Sequence, residues 1–156
     1  MTERRREGYV LTTDPGRVDV DRVHGWLSDE AYWAKGRERE VVERSIAGST
    51  NYSVYDDAPD GDARQAAFAR VVTDGATYAW ICDVFVDGAH RGRGLGSWMM
   101  ESIVEDLRAD GIPRIVLATL DAHEVYRRVG FEPLASPGRW MEIDVRPAKA
   151  ALFGLD

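Results

Sequence analysis

The stretch from Asp83 to Ser97, DVFVDGAHRGRGLGS, constrains this chain more than any other, because its chemistry changes twice within fifteen residues. Tyr78 to Val86 is aromatic and β-branched, with little charge except Asp83, which is the composition of a strand. From Leu95 onward the period changes. Leu95, Trp98, Met99, Ile103 and Leu107 recur at helical spacing, and after Gly96 glycine is absent until Gly111. The spacing predicts a helix of roughly four turns, with Arg91-Gly-Arg-Gly-Leu-Gly96 as the strand-to-helix turn that opens it. Glycines let a backbone curl and approach a ligand closely, and the first amides of a helix have no partner within it. Such a turn is an anion site, best suited to phosphate.

The phosphate ligand can be narrowed. A P-loop needs Gly-Lys-Ser/Thr at the end of its turn, and here the lysine is missing. The dinucleotide fingerprint needs a third glycine or alanine three positions after the second; counted from Gly92 and Gly94, that place holds Ser97. Arg91-x-x-Gly94-x-Gly96 after Val84-x-Val86 resembles the pyrophosphate-binding motif of the GNAT superfamily of acyl-CoA N-acyltransferases. A second motif follows. Ile115 to Thr119 is a nearly continuous apolar run, as in a strand buried on both faces. Asp121 can cap the short helix after it, which ends in Tyr126-Arg-Arg-Val-Gly130-Phe131. Tyr-x-x-x-Gly-Phe resembles the superfamily's closing signature, where the tyrosine faces the coenzyme sulfur. The two motifs span residues 78 to 131, about a third of the chain, and identify it as a member.

Composition bounds the rest. At 156 residues the chain is read as one domain, 1–156, with residues 1–8 and 147–156 as flexible tails. Hydrophobic residues at 44% and charged residues at 30% suit a globular protein. A net charge of −7 argues against nucleic acid and anionic membranes as partners and is compatible with a cationic amine. Arg4-Arg5-Arg6 has no apolar segment behind it and reads as a solvated tail, not a secretory signal. One cysteine, Cys82, excludes an internal disulfide and suits the cytoplasm. One cysteine and three scattered histidines offer no metal-ligand spacing, so no metal is expected. A homodimer stays open.

In chain order, Tyr9–Thr12 is a short strand ended by the Asp14-Pro15-Gly16 turn. A helix capped by Asp19 carries Val20, Val23, Trp26 and Leu27, and a second around Arg37 to Ala47 buries Val42 and Ile46. Asn51–Tyr55 and Ala66–Thr73 are strands, separated by the acidic run Asp56–Asp62. Asp74-Gly75 signals a hairpin into the Tyr78 strand. Phe131–Leu134 and Trp140–Val145 alternate like two further strands around Ser136-Pro-Gly138. The fold class is α+β: a mixed, mainly antiparallel sheet of about seven strands with helices on both faces, as the resemblance also implies.

The resemblance implies a single activity: transfer of the acetyl group of acetyl-CoA to a primary amine by direct attack. The strand of Val84–Val86 would splay from that of Ile115–Thr119, and the backbone of Val84, Phe85 and Val86 would pair with the pantetheine arm. The amides of Arg91, Gly92, Arg93, Gly94, Leu95, Gly96 and Ser97 would hold the pyrophosphate; the Arg93 side chain either adds charge there or is solvated. An alkylamine is neutral in only about one molecule in 10³ at pH 7, so a base or a desolvating pocket helps. Tyr126 matches the family's proton donor to the leaving thiolate. Asp83 is the lone carboxylate in the apolar strand. It either accepts the amine proton, attracts or orients the amine, caps a bulge, or answers a structural partner such as an arginine. His123 is a lesser candidate for a coenzyme contact or base. Thr119 and Asp121 stand where the family often has a pantetheine-binding asparagine. Tyr32, Trp33 and Trp80, with Asp83, would line the acceptor side, suiting an amine with an apolar or aromatic group. A small amine is the favoured acceptor; a polypeptide acceptor and a non-catalytic acyl-CoA-binding module are the alternatives.

Overall fold

The computed structural model describes residues 1–57 and 62–146. Six strands form one sheet in sequence order: β1 (Glu3–Arg6), β2 (Tyr9–Thr12), β3 (Thr50–Asp56), β4 (Gln65–Thr73), β5 (Ala79–Val86) and β6 (Ile115–Val116). Every pairing is antiparallel except β5 with β6, which is parallel. Helix α1 (Val20–Gly25) continues into one π-helical turn, Trp26–Glu30, and α2 is Arg39–Ala47. Helix α3 (Leu95–Ala109) and the short α4 (His123–Arg127) follow. The expected mixed, mainly antiparallel architecture is present.

Both sheet faces are covered. On one face Leu95, Trp98, Met99, Ile103 and Leu107 of α3 pack on Leu11, Val54, Ala67, Ala69, Val71 and Ile81. On the other, Val23, Trp26, Leu27, Val42 and Ile46 pack on Phe68 and Phe85. The small residues of β4 face α3 and the large Phe68 faces α1, the alternation that a strand's two-residue period imposes. Full burial of a side chain such as Ile103 contributes roughly 1.5–3 kcal/mol, so the long helix fixes the sheet beneath it.

Three expectations need correction. Residues 3–6 are a strand and not a tail: Glu7 (φ 44°) and Gly8 (φ 81°) turn the chain in a two-residue hairpin that pairs Arg6 with Tyr9. Arg4 then reaches across to Asp106 of α3 at 2.7 Å, with the Tyr52 hydroxyl on the same carboxylate at 2.9 Å. Among the described residues Phe131–Leu134 and Trp140–Val145 carry no sheet pairing, so the strands described number six against the about seven expected. A strand is defined by its neighbour's ladder, and β6 meets β5 at only two positions, Ala79 opposite Ile115 and Trp80 opposite Val116. Finally, Asp121 does not cap α4; Thr119 accepts the Ala122 amide at 3.1 Å instead. Much of the acidic connection and the 147–156 tail lie outside the described residues. Among the described residues no helix is long and apolar enough to cross a membrane.

Candidate active site

The short β5–β6 pairing builds the site. Past Trp80 and Val116 the two chains part, and the wedge between them is a cleft of about 600 Å³. Ile81, Cys82, Asp83 and Val84 form one wall and Leu117 to Ala122 the other. Tyr32, Trp33 and Trp80 also line the cleft, as does Tyr126 from α4. Glu142 and Arg146 complete the lining from the segment after residue 140, and no motif marks either of them as a site residue.

Asp83 sits at a bulge. Phe68 pairs with Phe85 and Arg70 with Cys82, so Asp83 and Val84 together oppose Ala69. Asp83 takes φ 52°, a left-handed conformation costly for a residue with a Cβ, and one that needs surrounding structure to hold it. That structure is a cage of donors. Trp33 Nε1 donates to one carboxylate oxygen at 3.0 Å. Arg37 at 2.7 Å and Arg70 Nε at 2.9 Å donate to the other. The side chain is 2% exposed. Burial pushes the carboxyl up, but the charges and hydrogen bonds of Arg37 and Arg70 outweigh it and hold Asp83 below the usual carboxylate range. Of the roles open in the sequence, the geometry supports the structural partner: a carboxylate so held is a poor proton acceptor. No single-sequence signal marks which arginine meets it, since Arg37 and Arg70 lie on different elements.

The glycine turn has the expected form. Gly92 (φ 78°) and Gly94 (φ 74°) adopt left-handed backbone, and α3 starts at Leu95 with no side chain capping its first turn. The leading amides therefore lack a partner from any side chain of the helix cap, as an anion cradle requires. Arg91 turns back, donating from Nε to the Val86 carbonyl at 3.1 Å with its guanidinium over Phe85. Arg93 points away from the cleft. It lines a separate recess of about 350 Å³ with Arg6, Glu7, Tyr9 and Leu95.

Tyr126 packs edge-on to Phe131 with ring centroids 6.1 Å apart, the register expected from Gly130-Phe131. Burial first, and then Tyr32 and Asp121, raise its phenol above the ordinary value, so it keeps its proton near neutrality. Cys82 is pushed up to about 11, mainly by burial, and stays a thiol. His123 lines the neighbouring groove beside β6 and not the cleft. The Tyr32 hydroxyl accepts the Leu120 amide at 3.3 Å, and its ring meets Trp33 edge-on at 4.9 Å. Half-exposed Trp80 presents its indole to the cleft.

Residues 14–131 match the model of the acetyltransferase (GNAT) family. A crystal structure of a GNAT-family protein from Xanthomonas campestris pv. campestris superposes with a TM-score of 0.81 at 38% identity, covering 88% of this chain and 93% of that one. Serotonin N-acetyltransferase 2, chloroplastic, of Oryza sativa subsp. japonica is 36% identical over 131 residues, 83% of this chain and 64% of the rice protein. Histone acetyltransferase TAP1 of Glycine max is 39% identical over 130 residues, 79% of this chain and 56% of the soybean protein.

Proposed function

The chain belongs to the GNAT acetyltransferase family, and on that premise we propose that it transfers the acetyl group of acetyl-CoA to the primary amine of a small molecule by direct attack. One observation carries the reading: a cleft between two parting strands, with an uncapped glycine turn opening α3 after β5 and a protonated tyrosine on its wall.

The donor set suits a pantetheine pyrophosphate. The amides from Arg91 to Ser97 would hold the pyrophosphate, and the open backbone of Val84, Phe85 and Val86 would pair with the arm. When bound, the coenzyme supplies a thioester carbonyl and a thiol leaving group. The aromatic walls of Tyr32, Trp33 and Trp80 desolvate the amine, which favours its neutral, nucleophilic form. As the N–C bond forms and the C–S bond breaks, the amine proton leaves to solvent. Tyr126 gives its proton to the departing sulfur and recovers one from water. Cys82, a thiol at neutral pH, offers no nucleophile for a covalent relay, which supports direct attack. Asp83 acts at one remove: with Arg37, Arg70 and Trp33 it holds the bulge that shapes one wall.

The three aromatics also favour a small amine with an apolar or aromatic group, a class that includes the acceptor in the rice relative's name. The histone in the soybean relative's name is a different class, so the test must include both. Purified protein and acetyl-CoA are incubated with arylalkylamines, aliphatic amines, lysine peptides and peptide N-termini, and free thiol is followed. Thiol release with arylalkylamines at the highest kcat/KM supports the proposal. Release with peptides alone overturns the acceptor class. Coenzyme binding without thiol release from any acceptor returns the chain to a binding module.

A further inference from the structure

Arg37 brings more to the cleft than the cage around Asp83 uses. Arg37 Nη1 and Arg70 Nε donate to the same oxygen of Asp83, so two cations share one anion. Among the described residues, the charges that act on neighbouring Cys82 are those of Arg70, Asp83 and Arg37, with no second acid beside them. The other acids on the cleft lining act elsewhere: Asp121 on Tyr126, and Glu142 on Arg146. One positive charge is left over beside Asp83.

The two arginines are not equivalent. Arg70 is turned inward, its side chain 11% exposed and its Nη1 on the Ser49 hydroxyl at 3.0 Å. The Arg37 side chain is 22% exposed and lines the cleft, and its Nε and Nη2 meet no acceptor among the described residues. It is not a loose surface side chain. Gly36 (φ 74°) turns the chain before it, the Arg37 amide donates to the Ala34 carbonyl at 2.9 Å, and the Arg37 carbonyl lies 3.1 Å from His24 Nε2. Trp33 reaches the other oxygen of Asp83, so one short loop brings an indole and a guanidinium to the same carboxylate. A guanidinium presents its N–H groups in a planar fork that matches a carboxylate, and such bonds are charge-assisted.

We propose that the remaining donors of Arg37 bind a carboxylate of the acceptor, so that the amine acetylated here belongs to an aromatic amino acid and not to a simple arylalkylamine. The inference rests on the small-amine reading above and narrows it. A carboxylate carries the single charge that balances the excess beside Asp83, where a phosphate dianion would exceed it. The ring of such an acceptor has Tyr32, Trp33 and Trp80 to pack against in the same cleft. Fixing the acid and the ring leaves the amine as the attacking group in a restricted set of orientations, which raises its effective concentration at the thioester.

Calorimetry separates the anion site from catalysis. Phenylpropionate, which has the ring and the acid but no amine, should bind the wild-type protein at least ~10-fold more tightly than phenylpropanol, as charge-assisted hydrogen bonds imply. Arg37→Gln should erase that difference. Equal binding by the wild type, or a difference that survives Arg37→Gln, overturns the proposal. Steady-state thiol release then compares phenylalanine with phenethylamine. The wild type should favour the amino acid, and Arg37→Gln should lose that preference through KM. A merely structural loss lowers both acceptors together and leaves their ratio unchanged, which overturns the proposal, as does a wild-type preference for phenethylamine. Arg37→Lys keeps the charge beside Asp83 without the fork and should lose part of the ratio, so the comparison stands even where the Gln variant fails to fold. Binding of phenylpropionate through Arg37 with no thiol released from either amine overturns acetyl transfer and the acceptor role with it, and leaves Arg37 a carboxylate site only.

Discussion

Tyr126 and Asp83 were singled out by the same sequence reasoning, and the structure gives them different kinds of work. The tyrosine is partly buried, protonated and on the cleft wall, so Tyr126→Phe is expected to lower kcat by ~10²-fold or more with coenzyme affinity unchanged. Calorimetry with CoA beside steady-state rates checks both halves. Asp83 is caged by Trp33, Arg37 and Arg70. Asp83→Asn leaves two arginines facing a neutral amide, and breaking a buried pair in this way costs about 3–5 kcal/mol. The sign follows from linkage. A carboxyl held below its unfolded value adds stability that is present above the unfolded pKa, near 3.9, and is lost as pH falls through the lower folded value. Denaturant melts should therefore show the two proteins far apart at pH 7 and converging in acid. The acidic limb of kcat/KM should survive in the variant. Its disappearance would restore Asp83 as the base. A lone carboxylate in an apolar strand was legible as an anomaly. The donors that satisfy it were not, because they converge from positions 33, 37 and 70 only once the sheet and helices have packed.

Among the elements, the turn into α3 allows a clean contrast. Gly94 sits at φ 74°, where a side chain is strained whatever the space around it. Gly96 has no positive φ, and a Cβ there would meet Val86 Cγ2 at an ordinary 3.6 Å. Gly94→Val should therefore cost about 1–3 kcal/mol of stability and distort the amide cradle, lowering CoA affinity at least ~10-fold, since an anion site depends on amide direction. Gly96→Ala should melt near the wild type. Equal melting temperatures for the two variants would remove the distinction. The turn, β2 to β5 and the long helix were legible because alternation, helical spacing and turn residues agree there. β1 was hidden by its charge: an arginine run looks solvated until α3 supplies Asp106. Residues 131–134 and 140–145 show the opposite failure. Their alternation is real, but alternation specifies a face and not a neighbour, and no ladder forms among the described residues.

At the scale of the whole molecule, the N-terminal hairpin ties the sheet to its long helix. Arg4 meets Asp106 at 2.7 Å and Glu105 at 3.5 Å, and the Thr2 hydroxyl adds a bond to Asp106 at 3.1 Å. The same carboxylate accepts from Tyr52, so one group on α3 joins β1, β3 and the helix. The Arg4 and Asp106 side chains are only 29% and 20% exposed, which sets this pair apart from freely solvated ones. Removing residues 2–7 would strip β2 of its outer ladder, expose a new edge and leave Asp106 and Tyr52 without their cation. A partly desolvated pair and a strand's pairing together are worth several kcal/mol, and each kcal/mol moves the melting temperature of a protein this size by roughly 2–4 °C. The truncated protein should therefore melt at least about 5 °C lower. Arg4→Ala alone should account for part of that loss, through the same carboxylate. If both variants melted with the wild type, the hairpin would be the dispensable tail that its arginine run suggests, and the coupling of β1 to α3 would not stand.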